Sequence, residues 1–200
     1  MSTSRRSQRR RAHAIAYVPP PTVSTPSLLR GGSDHVFQRL VFDLFTIAAR
    51  LEAVRVHLAS RAGISAPQYS ILRAVASLQQ QAGVSVGTVA AHLAVTNAFV
   101  TAQSAVLARQ GFLDKSEDIT DRRVSRLSLT RKGERLVDEV VEKVRPINDL
   151  FFGALEKSEF ETLSATIAKL VRSSRDVVVH LESESHEASL SARDRRGAAT

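Results

Sequence analysis

Two hundred residues limit the chain to one domain, or one domain with tails, and 43% apolar residues are enough for a packed core. The absence of Cys excludes disulfides, thiolate metal sites and thiol redox sensing, and fits a reducing cytoplasm. The net charge of +8 is carried unevenly: residues 1–33 hold six Arg and no acid, whereas residues 34–182 hold nineteen basic against seventeen acidic groups.

Residues 1–33 read as a disordered basic arm. They are rich in Arg, Ser and Pro, with Pro19, Pro20 and Pro21 in a row. Such an arm either neutralises phosphates or simply solubilises. Ser33 and Asp34 are in place to cap a first helix running to about residue 62 and stopped by Gly63. Phe37, Leu40, Val41, Leu44, Ala48, Leu51, Val54 and Leu58 share one face of it. That helix is too apolar along its length to stand alone, so it requires a partner in the chain or from a second copy.

Ser65 and Gln68 have capping-box spacing, with Pro67 in the first turn of a second helix that ends near Leu78. A polar loop, 79–83, follows. Ser85 caps a short third helix with Val86, Val89, Ala90 and Leu93 inward, and the chain breaks at Ala94 and Val95. Thr96 caps a fourth helix to about Gln110, stopped by Gly111, with Val100, Ser104 and Leu107 inward. Two short helices around a tight turn form a helix-turn-helix. The period then changes: residues 112–115 and 124–129 alternate as strands, and a charged loop, 116–123, joins them as a wing. Thr130 caps a fifth helix, which Pro146 is expected to end or kink. A short apolar connection, 151–153, leads to a last helix over about 157–181, with Phe160, Leu163, Ile167, Leu170, Val171 and Val178 as its stripe. Residues 183–200 read as a flexible tail.

The stretch VSVGTVAAHLAVTNAFVTAQSAVLARQGFLDKSEDITDRRVSRLSLTRKG, residues 84–133, carries a set of landmarks. They are Ala90, Leu93 and Val95, the pair Val100-Thr101, Gly111, Asp118 with Asp121-Arg122-Arg123, and Leu129-Thr130 with Gly133. On these residues the sequence resembles the MarR (multiple antibiotic resistance regulator) family over roughly 35–181. The resemblance implies a mostly α (α+β) winged helix-turn-helix. Residues 65–133 would be the DNA-binding lobe, and 34–62 with 134–182 the dimerisation helices, within a MarR-type domain spanning 34–182. It implies a ligand-responsive transcriptional regulator, a repressor, binding a pseudo-palindromic operator in double-stranded DNA as a homodimer. Its place would be the cytoplasm, on the nucleoid. A ligand-independent architectural DNA-binding protein is the alternative.

The chemistry of the fourth helix suits that role. Thr96, Asn97, Ala98, Thr101 and Ala102 are small or amide-bearing, so their face can approach base edges in a major groove. The resemblance further implies that one of Arg122 and Arg123 braces the wing by pairing with an acid while the other enters the minor groove. Lys115 and Arg126, with Arg131 and Lys132, are candidates for phosphates. The helix is poor in charge, with Arg109 its one basic residue. For an effector, the resemblance points to an aromatic carboxylate or its thioester, with Arg50, His57 and Tyr69 as candidate ligand-binding residues. Surface positions for the first two and a core position for Tyr69 are the plainer alternatives. The six His are scattered, so no metal site is expected. With no phosphate-binding Gly loop, Ser/His/Asp constellation or carboxylate pair, neither catalysis nor a cofactor is expected. No run of about 18 apolar residues suggests a membrane span.

Overall fold

The computed structural model describes Tyr17 and residues 19–197, with side chains through His186. Six α-helices and three short strands follow one another as α1 (His35–Arg61), α2 (Ala66–Leu78), β1 (Val84–Ser85), α3 (Val86–Leu93), α4 (Asn97–Arg109), β2 (Leu113–Glu117), β3 (Ser125–Leu129), α5 (Arg131–Phe152) and α6 (Lys157–Gly197). The chain forms two compact units that part within α2, between Ile71 and Leu72.

In the first unit, α1 buries only Leu58 and Ala59, at its C-terminal end. Of its predicted face Leu58 alone is buried: Phe37, Val41, Leu44 and Val54 are partly covered, while Leu40, Ala48 and Leu51 are exposed. Phe42 and Phe45 are 68% and 67% exposed. The capping box of α2 forms as its spacing requires. Gln68 N–H donates to Ser65 Oγ at 3.4 Å, and Ser65 N–H donates to the Gln68 side-chain oxygen at 3.1 Å. Arg55 joins the two helices, donating to the Ala66 carbonyl at 3.0 Å and to Ser70 Oγ at 2.8 Å.

Part of the predicted arm is ordered. Residues 19–33 include a single 3-10 turn at Pro26–Leu28 and a bridge between Arg30 and Ser33. Thr22 donates to Asp34 through both its N–H, 2.6 Å, and its hydroxyl, 2.7 Å. Asp34 therefore occupies the N-cap position of α1 with its carboxylate shared between Thr22 and the Gln38 side-chain amide, which donates to it at 3.0 Å, and it makes no capping bond. The rest of the predicted arm lies outside the described residues.

The second unit holds the helix-turn-helix. Ser85 Oγ accepts from Thr88 N–H at 3.0 Å, and Thr96 Oγ1 accepts from Phe99 N–H at 3.2 Å, so both predicted caps form. Ala94 ends α3 in the left-handed region, φ 54°. The chain turns by 111° from α3 to α4, a helix-turn-helix angle. Gly111 closes α4 with φ +76°, a conformation that costs any residue with a Cβ. The antiparallel sheet has the order β1-β3-β2, with Val84 opposite Leu127 and Lys115 opposite Leu127 on the other side. The strand β1 is absent from the sequence reading, because two residues are too few to show alternation. Leu107, Leu113, Leu127, Val89 and Val100 form the fully buried centre.

Three expectations at the C-terminal end are corrected. Pro146 does not end α5, which runs to Phe152. Pro146 and Glu142 are both exposed, so water can take the carbonyl that loses its partner. Phe151 and Phe152 are consequently the last turn of α5 and not a connection. The last helix does not stop at Leu181, and residues 183–197 of the predicted tail are helical. No Gly or Pro falls between 154 and 196 to stop it, and His180 lies 3.3 Å from Glu184 across the expected end. Among the described residues, no single helix is long and apolar enough to cross a membrane.

Candidate nucleic-acid interface

The two faces of α4 differ because burial and size are divided between them. Val100, Ser104 and Leu107, at i, i+4 and i+7, are all 0% exposed. The Ser104 hydroxyl is satisfied in place, donating to the Thr101 carbonyl at 3.1 Å. On the other side Asn97, Ala98, Thr101 and Ala102 are exposed, and none has a side chain longer than an amide. Thr96 is exposed too, although its hydroxyl is engaged as the cap. Phe99, which the sequence pattern marks as neither core nor site, is 38% exposed on the same helix and adds an apolar element to its surface.

The wing is stiffened from within by one acid. Asp118 is buried although it starts a charged loop. Its carboxylate accepts from Thr120 Oγ1 at 2.6 Å, Thr120 N–H at 2.8 Å and Asp121 N–H at 3.2 Å, and it pairs with Arg126 Nε. Thr120 first, then Arg126, hold this carboxyl well below the usual carboxylate range. Arg126 also donates from Nη1 to the Gly83 carbonyl at 3.2 Å, tying the wing to the turn before β1. The tip closes through Asp118 N–H to the Val124 carbonyl and Val124 N–H to the Asp121 carbonyl, both 2.9 Å. Asp121 accepts from the backbone N–H of Arg123 at 3.0 Å. The side chains of Arg122 and Arg123 are exposed and, among the described residues, neither is in an ion pair.

The brace implied by the resemblance is therefore made by a different arginine. Arg126, expected on a phosphate, has two guanidinium nitrogens engaged inside the lobe, and Arg122 and Arg123 are both left outward. The strand register explains the pairing: Ser116 faces Arg126, so Asp118 lies diagonally across from it on the same side. Lys132 is likewise engaged. Its ammonium donates to the Gln110 carbonyl at 2.8 Å, at the negative end of α4, and sits 4.6 Å above the Phe112 ring. Lys115 stands exposed on β2 between Asp114 and Ser116.

A notch of about 320 Å³ brings the two halves of the site together. Asn97 and Thr101 of α4 and Arg123 of the wing line it, together with Ser85, Gly87 and Ser125. The candidate effector residues are placed differently. Arg50 and His57 stand exposed on α1, about 10 Å apart along its axis, and Tyr69 is buried on α2. Among the described residues no group of three His, Asp or Glu could hold a metal ion.

Solved structures share this fold. A CouR structure from Rhodococcus jostii RHA1, bound to p-coumaroyl-CoA, matches with TM-score 0.62 and 20% identity, over 69% of this chain and 95% of that one. A MarR-family transcriptional regulator from Rhodococcus sp. RHA1 matches with TM-score 0.59 and 19% identity, over 69% and 96%. The chain has the MarR-type winged-helix fold. A third MarR-type match, the S. aureus MepR–DNA complex, has TM-score 0.56 and 20% identity, over 66% and 95%. Regulators of this fold are thus found both on DNA and with a small molecule. No family model and no curated protein sequence matches the chain.

Proposed function

We propose that the chain is a ligand-responsive transcriptional regulator, a repressor, that binds a pseudo-palindromic operator in double-stranded DNA as a homodimer in the cytoplasm. The observation that carries this reading is the notch in which Asn97 and Thr101 meet Arg123. The slim face of α4 enters the major groove, where Asn97 can pair with an adenine edge and the methyls of Thr101, Ala98 and Ala102 can touch thymine. Arg122 and Arg123 extend from the braced wing toward the adjoining minor groove, and Lys115 sits on a phosphate.

Dimerisation follows from what each helix leaves uncovered. Large apolar side chains are exposed along α1 and, independently, along α6 at Phe160, Leu163, Ile167, Leu170, Val171 and Val178. Surfaces of that kind on one chain are those a partner buries. Twofold symmetry then sets half-sites about one helical turn apart. An effector shifts binding only by preferring one arrangement of the two lobes. The ligand in the CouR structure is a thioester of an aromatic carboxylic acid, which supports that class of effector here. Arg50, His57 and Tyr69 are the side chains we propose for it.

The test is the double replacement Arg122→Ala with Arg123→Ala. Operator affinity is expected to fall at least about tenfold and the dependence on salt to flatten. Unchanged affinity and an unchanged salt slope would remove the wing from the mechanism. Affinity that ignores sequence in a competition assay would favour the architectural alternative.

A further inference from the structure

One large apolar side chain on the wing is left without cover. Ile119 is 96% exposed, more than any other large apolar side chain among the described residues. Asp118 before it is buried, and the Asp118 carboxylate accepts from Thr120 Oγ1, Thr120 N–H and Asp121 N–H after it. The backbone on both sides of Ile119 is thus fixed, and its side chain is held outward from a stiff tip. Ile119 lines a recess of about 490 Å³ with Gly83, Ser116, Thr120, Arg126 and Ser128, yet the recess does not cover it. The outward Arg122 and Arg123 follow in the same loop, which closes through Asp118 N–H to the Val124 carbonyl. An isoleucine so placed adds nothing to the core, and it shares its loop with the two arginines assigned to the minor groove.

We infer that Ile119 is a specificity-determining residue, one that enters the minor groove with the two arginines and selects A·T over G·C pairs beneath the wing. The inference rests on the proposed reading of the chain as a DNA-binding regulator. In the minor groove an A·T pair shows only acceptors, whereas a G·C pair adds the guanine 2-amino group. An aliphatic side chain offers that amine no acceptor, and a donor buried without a partner is costly. Over A·T pairs the groove floor is clear of the amine, so the branched side chain can lie deep between the sugars while guanidiniums donate beside it. Arginines are drawn to the phosphates of any duplex. The neutral side chain supplies what they lack, a penalty against the wrong pair. Recognition is then divided: α4 reads the major groove, Arg122 and Arg123 supply attraction, and Ile119 supplies rejection.

The experiment uses the full chain and a duplex it selects from a random pool. Pairs whose minor groove it protects are rebuilt as A·T, G·C or inosine·C, the last having the major-groove edge of G·C without the 2-amino group. The full chain is expected to bind the A·T and inosine·C duplexes alike and the G·C duplex about tenfold more weakly. Ile119→Ala should bind all three within about twofold of one another. Its salt slope should match that of the full chain, because no charge is lost. Ile119→Leu should keep the discrimination. Discrimination retained by Ile119→Ala would assign it to the arginines and overturn the inference. Equal affinity of the full chain for all three duplexes, or no protected minor groove, would also overturn it with DNA binding left intact. A lower sedimentation mass for Ile119→Ala would overturn it in favour of a contact between copies of the chain. Failure of the full chain to bind the random pool at low salt removes this inference and the DNA-binding reading together.

Discussion

Asp118 is a negative charge at the base of an element proposed to meet a polyanion. Simple electrostatics would have its removal strengthen DNA binding. The structure argues the reverse, because that carboxylate holds Thr120, Asp121 and Arg126 in place. Asp118→Ala is expected to weaken binding about as much as the loss of Arg122 and Arg123, roughly tenfold, in spite of the charge gained. A titration showing tighter binding would mean that the tip needs no brace. Asp34 makes a second prediction. Thr22 and Gln38 pull its pKa from 3.8 to about 2. A carboxyl depressed on folding adds stability that is fully present above its unfolded value and is lost as the pH falls through its folded one. NMR titration of the side-chain carboxyl should show Asp34 protonating near pH 2, with its hydrogen bonds from Thr22 weakening between about pH 4 and 2. Protonation near pH 4 would mean that those bonds are not kept in solution. At this scale the caps were legible, because a hydroxyl three residues before an N–H is a local pattern. The Asp118–Arg126 pair was not, because it depends on a strand register that the loop length alone does not set. Nor was Asp34: its partner lies twelve residues upstream, in a segment with no periodicity.

At the scale of elements, α4 and the start of α5 carry the most constraint. Gly133 follows Thr130 by three residues, and a Cβ there would run into the Phe112 carbonyl oxygen and meet Leu129 at 3.2 Å. The glycine in the Leu-Thr-x-x-Gly motif is thus explained by close approach of backbone to backbone. Gly133→Ala is expected to destabilise the fold by about 1–3 kcal/mol, measurable by denaturant unfolding; a neutral result would mean that α5 can shift outward at little cost. On α4, Asn97→Ala is expected to cost about 1–3 kcal/mol on the selected operator and little on unrelated duplexes. Equal losses on all DNA would leave Asn97 a positioning role only. Each of the six helices was readable from its apolar period, and most ends were readable where a cap, a glycine or a polar break marked them, as at Leu78 and Ala94. Of the two outcomes expected at Pro146, a helix end is excluded, and the end expected near Leu181 fails for the same reason. A local breaker or a drop in hydrophobicity does not end a helix whose backbone groups can be satisfied by water or by the next turn.

For the whole molecule, the exposed apolar residues of α1 and α6 are what the single chain cannot account for. Such surface is tolerated when a second copy covers it, so sedimentation equilibrium should give twice the monomer mass of 21.8 kDa at micromolar concentration. A stable monomer would leave those faces without a function and remove the two-half-site geometry. The winged-helix architecture was legible because the helix-turn-helix, wing and following helix come in an order that few other folds share. The exposed apolar faces were legible only as an excess of apolar residues on long helices, and the identity of an effector was not legible at all. Polar side chains such as Arg50 and His57 carry no local mark that separates a ligand contact from solvent.

The central claim is that two copies hold α4 and the wing against one duplex. Hydroxyl-radical footprinting of the full chain, on a duplex it has selected from a random pool, addresses this most directly. The expected result is two symmetric protected patches about one helical turn apart, both weakened when Arg122 and Arg123 are replaced by Ala. A pool that yields no preferred sequence, or a single patch without a dyad, would contradict it.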